Sequence, residues 1–358
     1  TAAQMKSDEE LVEDVNHLMP RSDWQTLDNP LHAFKHVAAG ARITKPKHIF
    51  LIVGESIPQW SMDPLYMDFN ICPGLRHFAA DTHTARVPNF LPAGNVSRPS
   101  ISSLISGIYD SGMELNEKEM FWNNTLPTAL AAQIKRLGYK TIYWYGGNSS
   151  SGNFTKYGKA QGFDRIENAT EFCGPQAPQT WLGVYDHVFL EEAAKRIVNM
   201  DEPTFHFVYT TTNHGPYKLE DKYLDFDAHR DLPGVGDDIL NRKDGNKGLA
   251  TYKYCDKAIF DFVDAMKAKF PDSLFIVTGD HSNLFGEFNN TSFLHRDYTM
   301  REIRNTVFYM QHPELSQISL SASIGTHLSI MPTIIEAIAP KGFEYYAAVP
   351  SAFDEQPD

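Results

Sequence analysis

Cysteine is scarce in this chain: Cys72, Cys173 and Cys255 are the three in 358 residues, and no two form a CxxC pair. So sparse a set excludes a disulfide-stapled scaffold and a zinc knuckle. It leaves room for one bridge, Cys72 with Cys173, in an oxidising compartment. Cys255 falls on the apolar side of a predicted helix, where a thiol packs as a small hydrophobe. No run approaches the ~18 consecutive apolar residues of a membrane span, and no secretory signal is visible. Basic charge is also short, with 32 Lys and Arg against 45 Asp and Glu for a formal net charge of −13. A nucleic-acid surface needs clustered cations, so nucleic acid is excluded as a partner. Internal repeats and low-complexity tracts are missing too.

What is present is ordinary for a folded chain: 42% hydrophobic and 22% charged residues, enough to bury a large core. Residues 1–46 are polar and helical in places, broken at Pro20, Pro30 and Pro46. His48-Ile49-Phe50-Leu51-Ile52-Val53-Gly54 then reads as a strand buried on both faces of a parallel sheet. Similar runs span Tyr139 to Tyr145, Thr204 to Tyr209 and Ser273 to Thr278, with a further strand at Thr306 to Met310. Helical stretches separate them at Leu126–Leu137, Val188–Val198 and Gly248–Phe270, and another follows at Leu328–Ala339. In the third, Leu249, Tyr252, Ile259, Phe262, Val263 and Met266 share one face. Strands alternating with helices predict a doubly wound α/β fold: a mostly parallel sheet, helices on both faces, and a smaller C-terminal lobe.

Ligands of open α/β sheets sit beyond the carboxyl ends of the strands, so the residues there come next. Glu55 follows the first strand, Asn213-His214-Gly215-Pro216 the run ending at Tyr209, and Asp280-His281 the run ending at Thr278. Oxygen and nitrogen donors side by side suit Zn²⁺ or Mn²⁺. A carboxylate after a strand is also an ordinary helix cap. The segment Asn95 to Gly107 reads as a helix opening at Ser97, with Pro99 in its first turn and Gly107 at its end. Ser97 is then an N-cap, or a hydroxyl facing free N–H groups where a phosphoryl or sulfuryl anion binds.

Taken in order, Gly54-Glu55-Ser56, Ser97-Arg98-Pro99-Ser100 through Leu104-Ile105-Ser106-Gly107, Asn213-His214-Gly215-Pro216 and Gly279-Asp280-His281 resemble a known pattern. It is that of the sulfatase-like branch of the alkaline phosphatase superfamily. Within that branch the chain is most similar to the extracytoplasmic domains of lipoteichoic acid synthases and phosphoethanolamine transferases. Gly162 to Ile166, the helix with Tyr254, Cys255 and Asp256, and Leu328 to Ile335 fit as well. The resemblance runs from about Lys45 to about Pro340.

The resemblance implies a role for each residue. Glu55, Asp280 and His281 match metal ligands, and Ser97 matches both a ligand and the nucleophile, with Ser100 the next choice. His214 matches a histidine on the transferred phosphate, and His295 resembles a second one in the phosphoethanolamine branch. Arg98 and Asn153 are further substrate-binding candidates. The implied cofactor is Mn²⁺ or Zn²⁺, with Mg²⁺ and Ca²⁺ disfavoured by the imidazole donor. Two departures stand out. Ile101 occupies the place where the sulfatase signature carries Arg, and Gly147 to Phe154 lacks the Trp and Arg of lipoteichoic acid synthases.

The expected activity is metal-dependent transfer of a phosphoglycerol or phosphoethanolamine type head group through a covalent Ser97 intermediate. The donor would be a phospholipid and the acceptor a glycan or lipid of the cell envelope. A hydrolase of the same superfamily is the alternative, and a catalytically silent binding module a third reading. The expected layout is a lead-in at 1–46 from an absent N-terminal membrane anchor, a catalytic domain at 47–340 and a tail at 341–358. The opening Thr, where a whole chain starts with Met, motivates that anchor. The expected location is extracytoplasmic: periplasmic, or on the outer face of a bacterial membrane.

Overall fold

The computed structural model describes residues 30–149, 151–241, 243–285 and 296–354. Its centre is one seven-stranded sheet. In chain order its strands are β1 (His48–Gly54), β2 (Thr84–Arg86), β3 (Lys140–Tyr145), β4 (Arg165–Asn168), β5 (Thr204–Tyr209), β6 (Leu274–Gly279) and β7 (Phe308–Gln311). Across the sheet the order is β2-β7-β6-β1-β5-β3-β4. Strands β6, β1, β5, β3 and β4 run parallel; β7 lies antiparallel to β6, and β2 antiparallel to β7. The sheet is therefore mixed but mostly parallel.

All seven residues of β1 are buried, because helices cover both faces. Ile49, Leu51 and Val53 point into one core with Ile101, Leu104 and Ile105 of α1 (Ser97–Ser106) and Leu130 and Ile134 of α2 (Leu130–Lys135). Phe50 and Ile52 point into the other, with Phe189 and Leu190 of α3 (Asp186–Ile197) and Tyr252, Ile259 and Val263 of α4 (Lys243–Lys269). A strand alternates its side chains, so a run apolar at every position needs partners on both sides. The C-terminal part adds β7 to the sheet and α5 (Ile330–Ile338) to the first core. Lys35–Val37 pairs antiparallel with Glu344–Tyr346, joining the start and end of the described chain.

Three local expectations change. The helix expected from Leu126 forms from Leu130, because Pro127 lies in the turn before it and its carbonyl accepts from Gln133 Nε2. The strand expected from Thr306 begins at Phe308: Thr306 Oγ1 donates to Ile57 O at 2.7 Å and accepts from Gly279 N at 3.0 Å. That tie pulls the segment across the strand ends instead of along them. Cys72 and Cys173 form no bridge; all three cysteines are free thiols.

Candidate metal and nucleophile site

Strands β6, β1 and β5 are neighbours in register, Gly54 opposite Gly279 and Val53 opposite Tyr209. Their carboxyl ends therefore deliver Glu55, Tyr209 and Asp280 to one place. The exit is tight: a Cβ on Gly279 would lie 2.5 Å from Ile57 O, and one on Gly54 2.2 Å from the Ile57 side chain. Both positions need glycine for that reason. Beyond Gly54 the chain turns at Ser56, which adopts φ 57, the left-handed region. Ser56 N donates to Asp280 Oδ1 at 2.7 Å, and Ser56 Oγ donates to Glu55 Oε1 at 2.8 Å. Asn213 Nδ2 adds bonds to Glu55 O at 3.1 Å and Ser56 O at 3.4 Å. These contacts hold a conformation that the turn alone disfavours.

Glu55, Asp280 and His281 each bring one ligand atom within 4.8 Å of the others. His281 Nε2 stands 3.5 Å from Glu55 Oε1 and 3.7 Å from Asp280 Oδ2. Its Nδ1 lies 2.8 Å from Ser282 O, to which it donates, so Nε2 faces the carboxylates. Ser97 is the first residue of α1 and makes no capping bond, so it is not an N-cap. Its hydroxyl instead donates to Glu55 Oε2 at 3.1 Å and lies 3.4 Å from His281 Nε2. Ser100 is fully buried, and its hydroxyl binds Asp280 O, with His327 Nδ1 at 3.0 Å. That leaves no free hydroxyl to attack a substrate, so the second-choice nucleophile falls away. His327 completes a brace by donating from Nε2 to Gly279 O at 2.9 Å.

Sequence reasoning missed Tyr209. Its phenol donates toward Glu55 Oε2 at 2.9 Å and Asp280 Oδ2 at 3.2 Å, deep in the site. Burial, reinforced by the two carboxylates, keeps that phenol protonated by pushing its pKa well up. A tyrosine ending an apolar strand reads as core, and the only signal was its position level with Val53. Burial also works against ionising Asp280, and the charge of Glu55 pushes its pKa up further. For Glu55 burial acts in the same sense, but the hydrogen bond and charge of His281 outweigh it and hold the carboxyl low. Burial opposes a charged His281, yet Asp280 and Glu55 together raise its pKa to about 10. A proton on the imidazole thus balances part of the carboxylate charge.

The remaining predicted residues spread around this centre. His214 follows Asn213; its Nδ1 lies 2.6 Å from Gly215 O, and its ring meets Trp181 edge-on at 5.1 Å. Trp181 is 61% exposed and belongs to a loop whose Gly183 bridges to Gly147 at the end of β3. Arg98 and Asn153 meet at Glu117: the guanidinium lies 4.0 Å from one of its oxygens, and Asn153 Nδ2 donates to the other. His295 lies outside the described residues.

Two buried carboxylates, an imidazole Nε2 and a hydroxyl converge, with a single proton to balance two negative charges. That set fits a small divalent cation, and mixed O and N donors favour Zn²⁺ or Mn²⁺ over Ca²⁺. Comparisons with known proteins give the family. A lipoteichoic acid synthase of Staphylococcus aureus is 25% identical over 220 residues, 60% of this chain and 32% of that protein. The chain thus spans about a third of the length of the curated relatives it matches. The lipoteichoic acid synthase LtaP from Listeria monocytogenes superposes with a TM-score of 0.68 at 15% identity, covering 96% of this chain and 80% of that one. The zinc complex of the C-terminal periplasmic domain of EcEptC from Escherichia coli gives 0.62 at 16% identity, covering 89% and 91%. The sulfatase profile matches residues 47–338, the span that carries every strand of the sheet and all of this site; the chain belongs to the sulfatase family and is an enzyme of the alkaline phosphatase superfamily.

Proposed function

We propose that the chain is a phosphotransferase of this superfamily that carries a phospho-head group through a covalent bond to Ser97. The donor is a phospholipid of phosphoglycerol or phosphoethanolamine type, and the acceptor a glycan or lipid of the cell envelope. The reaction runs outside the cytoplasm, at a membrane to which a segment beyond this chain would anchor it. One observation carries the reading: Ser97 Oγ opens α1 while sitting 3.1 Å from Glu55 and 3.4 Å from His281. A hydroxyl placed there is both at a helix N-terminus, where anions bind, and among cation ligands. The identified lipoteichoic acid synthase relatives support the reaction class.

Glu55, Asp280, His281 and Ser97 would hold the divalent cation, Zn²⁺ or Mn²⁺. Such an ion lowers the pKa of a serine hydroxyl and neutralises charge on the transferring group. In the first half-reaction Ser97 Oγ, its proton released to water, attacks phosphorus in line with the lipid oxygen. The P–O bond to the lipid breaks, and His214 protonates the departing oxygen from Nε2, since Nδ1 is engaged with Gly215 O. In the second, His214 takes the proton of an acceptor hydroxyl, which attacks phosphorus and frees Ser97. Helix α1 supplies backbone N–H groups behind the phosphoryl oxygens. With water as acceptor the same steps make a phosphodiesterase. A formylglycine sulfatase fits less well, because Ile101 is fully buried in the core face of α1 and leaves no room for a guanidinium.

The test is intact-mass analysis after incubation with phosphatidylglycerol or phosphatidylethanolamine in the presence of Mn²⁺ or Zn²⁺. The expected result is a mass increase of one head-group phosphate with one donor, mapped to Ser97 and absent in Ser97→Ala. No adduct with either donor, or an adduct on another residue, contradicts the reading. Formylglycine at position 97 would replace it with the sulfatase.

A further inference from the structure

The hydrogen bonds inside the site divide the carboxylate oxygens unequally. Asp280 Oδ1 already accepts two backbone N–H groups, from Ser56 at 2.7 Å and His281 at 2.8 Å. A carboxylate oxygen has two lone pairs, so Oδ1 has none left for an ion. Asp280 can offer Oδ2 alone, and that oxygen is the one Tyr209 reaches at 3.2 Å. The same phenol lies 2.9 Å from Glu55 Oε2, while Glu55 Oε1 takes the Ser56 hydroxyl at 2.8 Å. One hydroxyl therefore ties the two carboxylates to each other. The tie is rigid: Tyr209 is 2% exposed, ends a central strand, and stacks on Tyr145 at 5.6 Å with the rings 6° from parallel.

From this geometry we infer that Tyr209 is a positioning residue that holds Glu55 to one ligand oxygen beside the single oxygen Asp280 has left, making the seat a compact four-donor site that rejects large cations. The inference rests on the cation reading of the site given above. Ca²⁺ seeks six to eight oxygens and commonly takes carboxylates two oxygens at a time, whereas Zn²⁺ is content with four donors. With the phenol in place Glu55 cannot swing to chelate, and the backbone N–H groups on Oδ1 keep Asp280 from doing so. Without it Glu55 can rotate, the small-ion geometry loosens, and a larger coordination shell becomes open.

The test compares Tyr209→Phe with the unaltered chain, both stripped of metal and titrated calorimetrically with Zn²⁺, Mn²⁺ and Ca²⁺. Phe keeps the ring and its stacking. The expected result is a roughly 10–100-fold weaker Zn²⁺ and Mn²⁺ affinity, the range seen when a group that orients a metal ligand is removed. Ca²⁺ affinity should hold or rise, so the preference for the small ion narrows. Loading with Co²⁺ reports coordination directly: a strong visible band in the unaltered chain, weakening in Tyr209→Phe as donors are added. Tyr143→Phe serves as the control, since the Tyr143 phenol is buried without a partner among the described residues. It should bind all three ions as the unaltered chain does. Should Tyr209→Phe fail to fold, Tyr209→Leu removes the same hydroxyl and is held to the same outcome. Unchanged affinities and an unchanged Co²⁺ band overturn the inference, as does an equal loss in Tyr143→Phe. If the unaltered chain binds none of the ions, the cation reading itself falls and takes this role with it; if it binds them and Tyr209→Phe matches it, only Tyr209's role falls.

Discussion

The same central strands carry two buried polar clusters, one within the sheet and one at the carboxyl ends, and the two are built differently. Within the sheet, Trp144 of β3 donates from Nε1 to His206 Nδ1 at 3.1 Å, and His206 Nε2 lies 3.2 Å from His48 Nδ1. An indole only donates, so His206 carries its proton on Nε2 and passes a hydrogen bond on to His48. Burial pushes both imidazoles down, His48 to about 4 with help from the charge of Lys47, and His206 well below the ordinary value. The chain of rings is neutral. At the carboxyl ends, burial acts on His281 in the same direction, yet its pKa is raised because two carboxylates surround it. Neutral groups donating in sequence carry no charge to balance, though His48 Nε2 ends that chain without a hydrogen-bond partner among the described residues; two carboxylates sharing one imidazole do carry one. The first cluster belongs to the fold, and the second is shaped for something the chain does not supply.

That contrast breaks most visibly at Asp280. Asp280→Asn removes a ligand charge, and cation affinity measured by calorimetry should fall by more than ~100-fold, beyond what losing an orienting group costs. In chelator the same substitution should leave thermal stability equal or raise it, because a like charge beside Glu55 is gone. A drop in metal-free stability would mean that the carboxylate cluster is structural after all. His206→Ala should do the reverse. It leaves a cavity in the sheet and orphans Trp144 Nε1, costing about 2–4 kcal/mol in denaturant unfolding while cation affinity stays put. Loss of cation binding in that variant would show the two ends to be coupled.

The third expected effect is on pH. The folded pKa values of His48 and His206 are depressed, so the unfolded chain binds protons that the folded chain refuses. Stability is therefore full above pH ~6.5 and falls as pH drops toward the folded values. At pH 5 the loss from His48 alone should reach about 2 kcal/mol, with His206 adding to it in the same direction. Denaturation midpoints at pH 7 and pH 5 check it, and His206→Ala should flatten the difference. An unaltered chain equally stable at both values would contradict the neutral assignment.

Much of the site was legible before any coordinates. Buried parallel strands announce themselves as unbroken apolar runs, and adjacent strands must deliver their last residues together; Glu55, Asp280 and His281 follow from that rule. Ser97 was legible from the helix it opens, though not whether its hydroxyl capped the helix or faced the carboxylates. Tyr209 was hidden because an aromatic at a strand end packs in the core far more often than it serves a site. The parts played by Ser56 and Ser100 were hidden for another reason. A left-handed turn at a serine, and a hydroxyl consumed by Asp280 O, are products of tertiary packing with no local sequence signal. The meeting of Arg98 and Asn153 at Glu117 likewise depends on loops from two distant segments. Strand β7 was visible as an apolar run, but its antiparallel direction and late start come from the Thr306 tie to Ile57 and Gly279.

Anomalous diffraction from crystals soaked in Mn²⁺ or Zn²⁺ addresses the central claim most directly. The expected result is one strong peak within about 2.0–2.2 Å of a Glu55 oxygen, Asp280 Oδ2, His281 Nε2 and Ser97 Oγ. A peak bound elsewhere, or a cation held by the carboxylates with the Ser97 oxygen turned away, would contradict it.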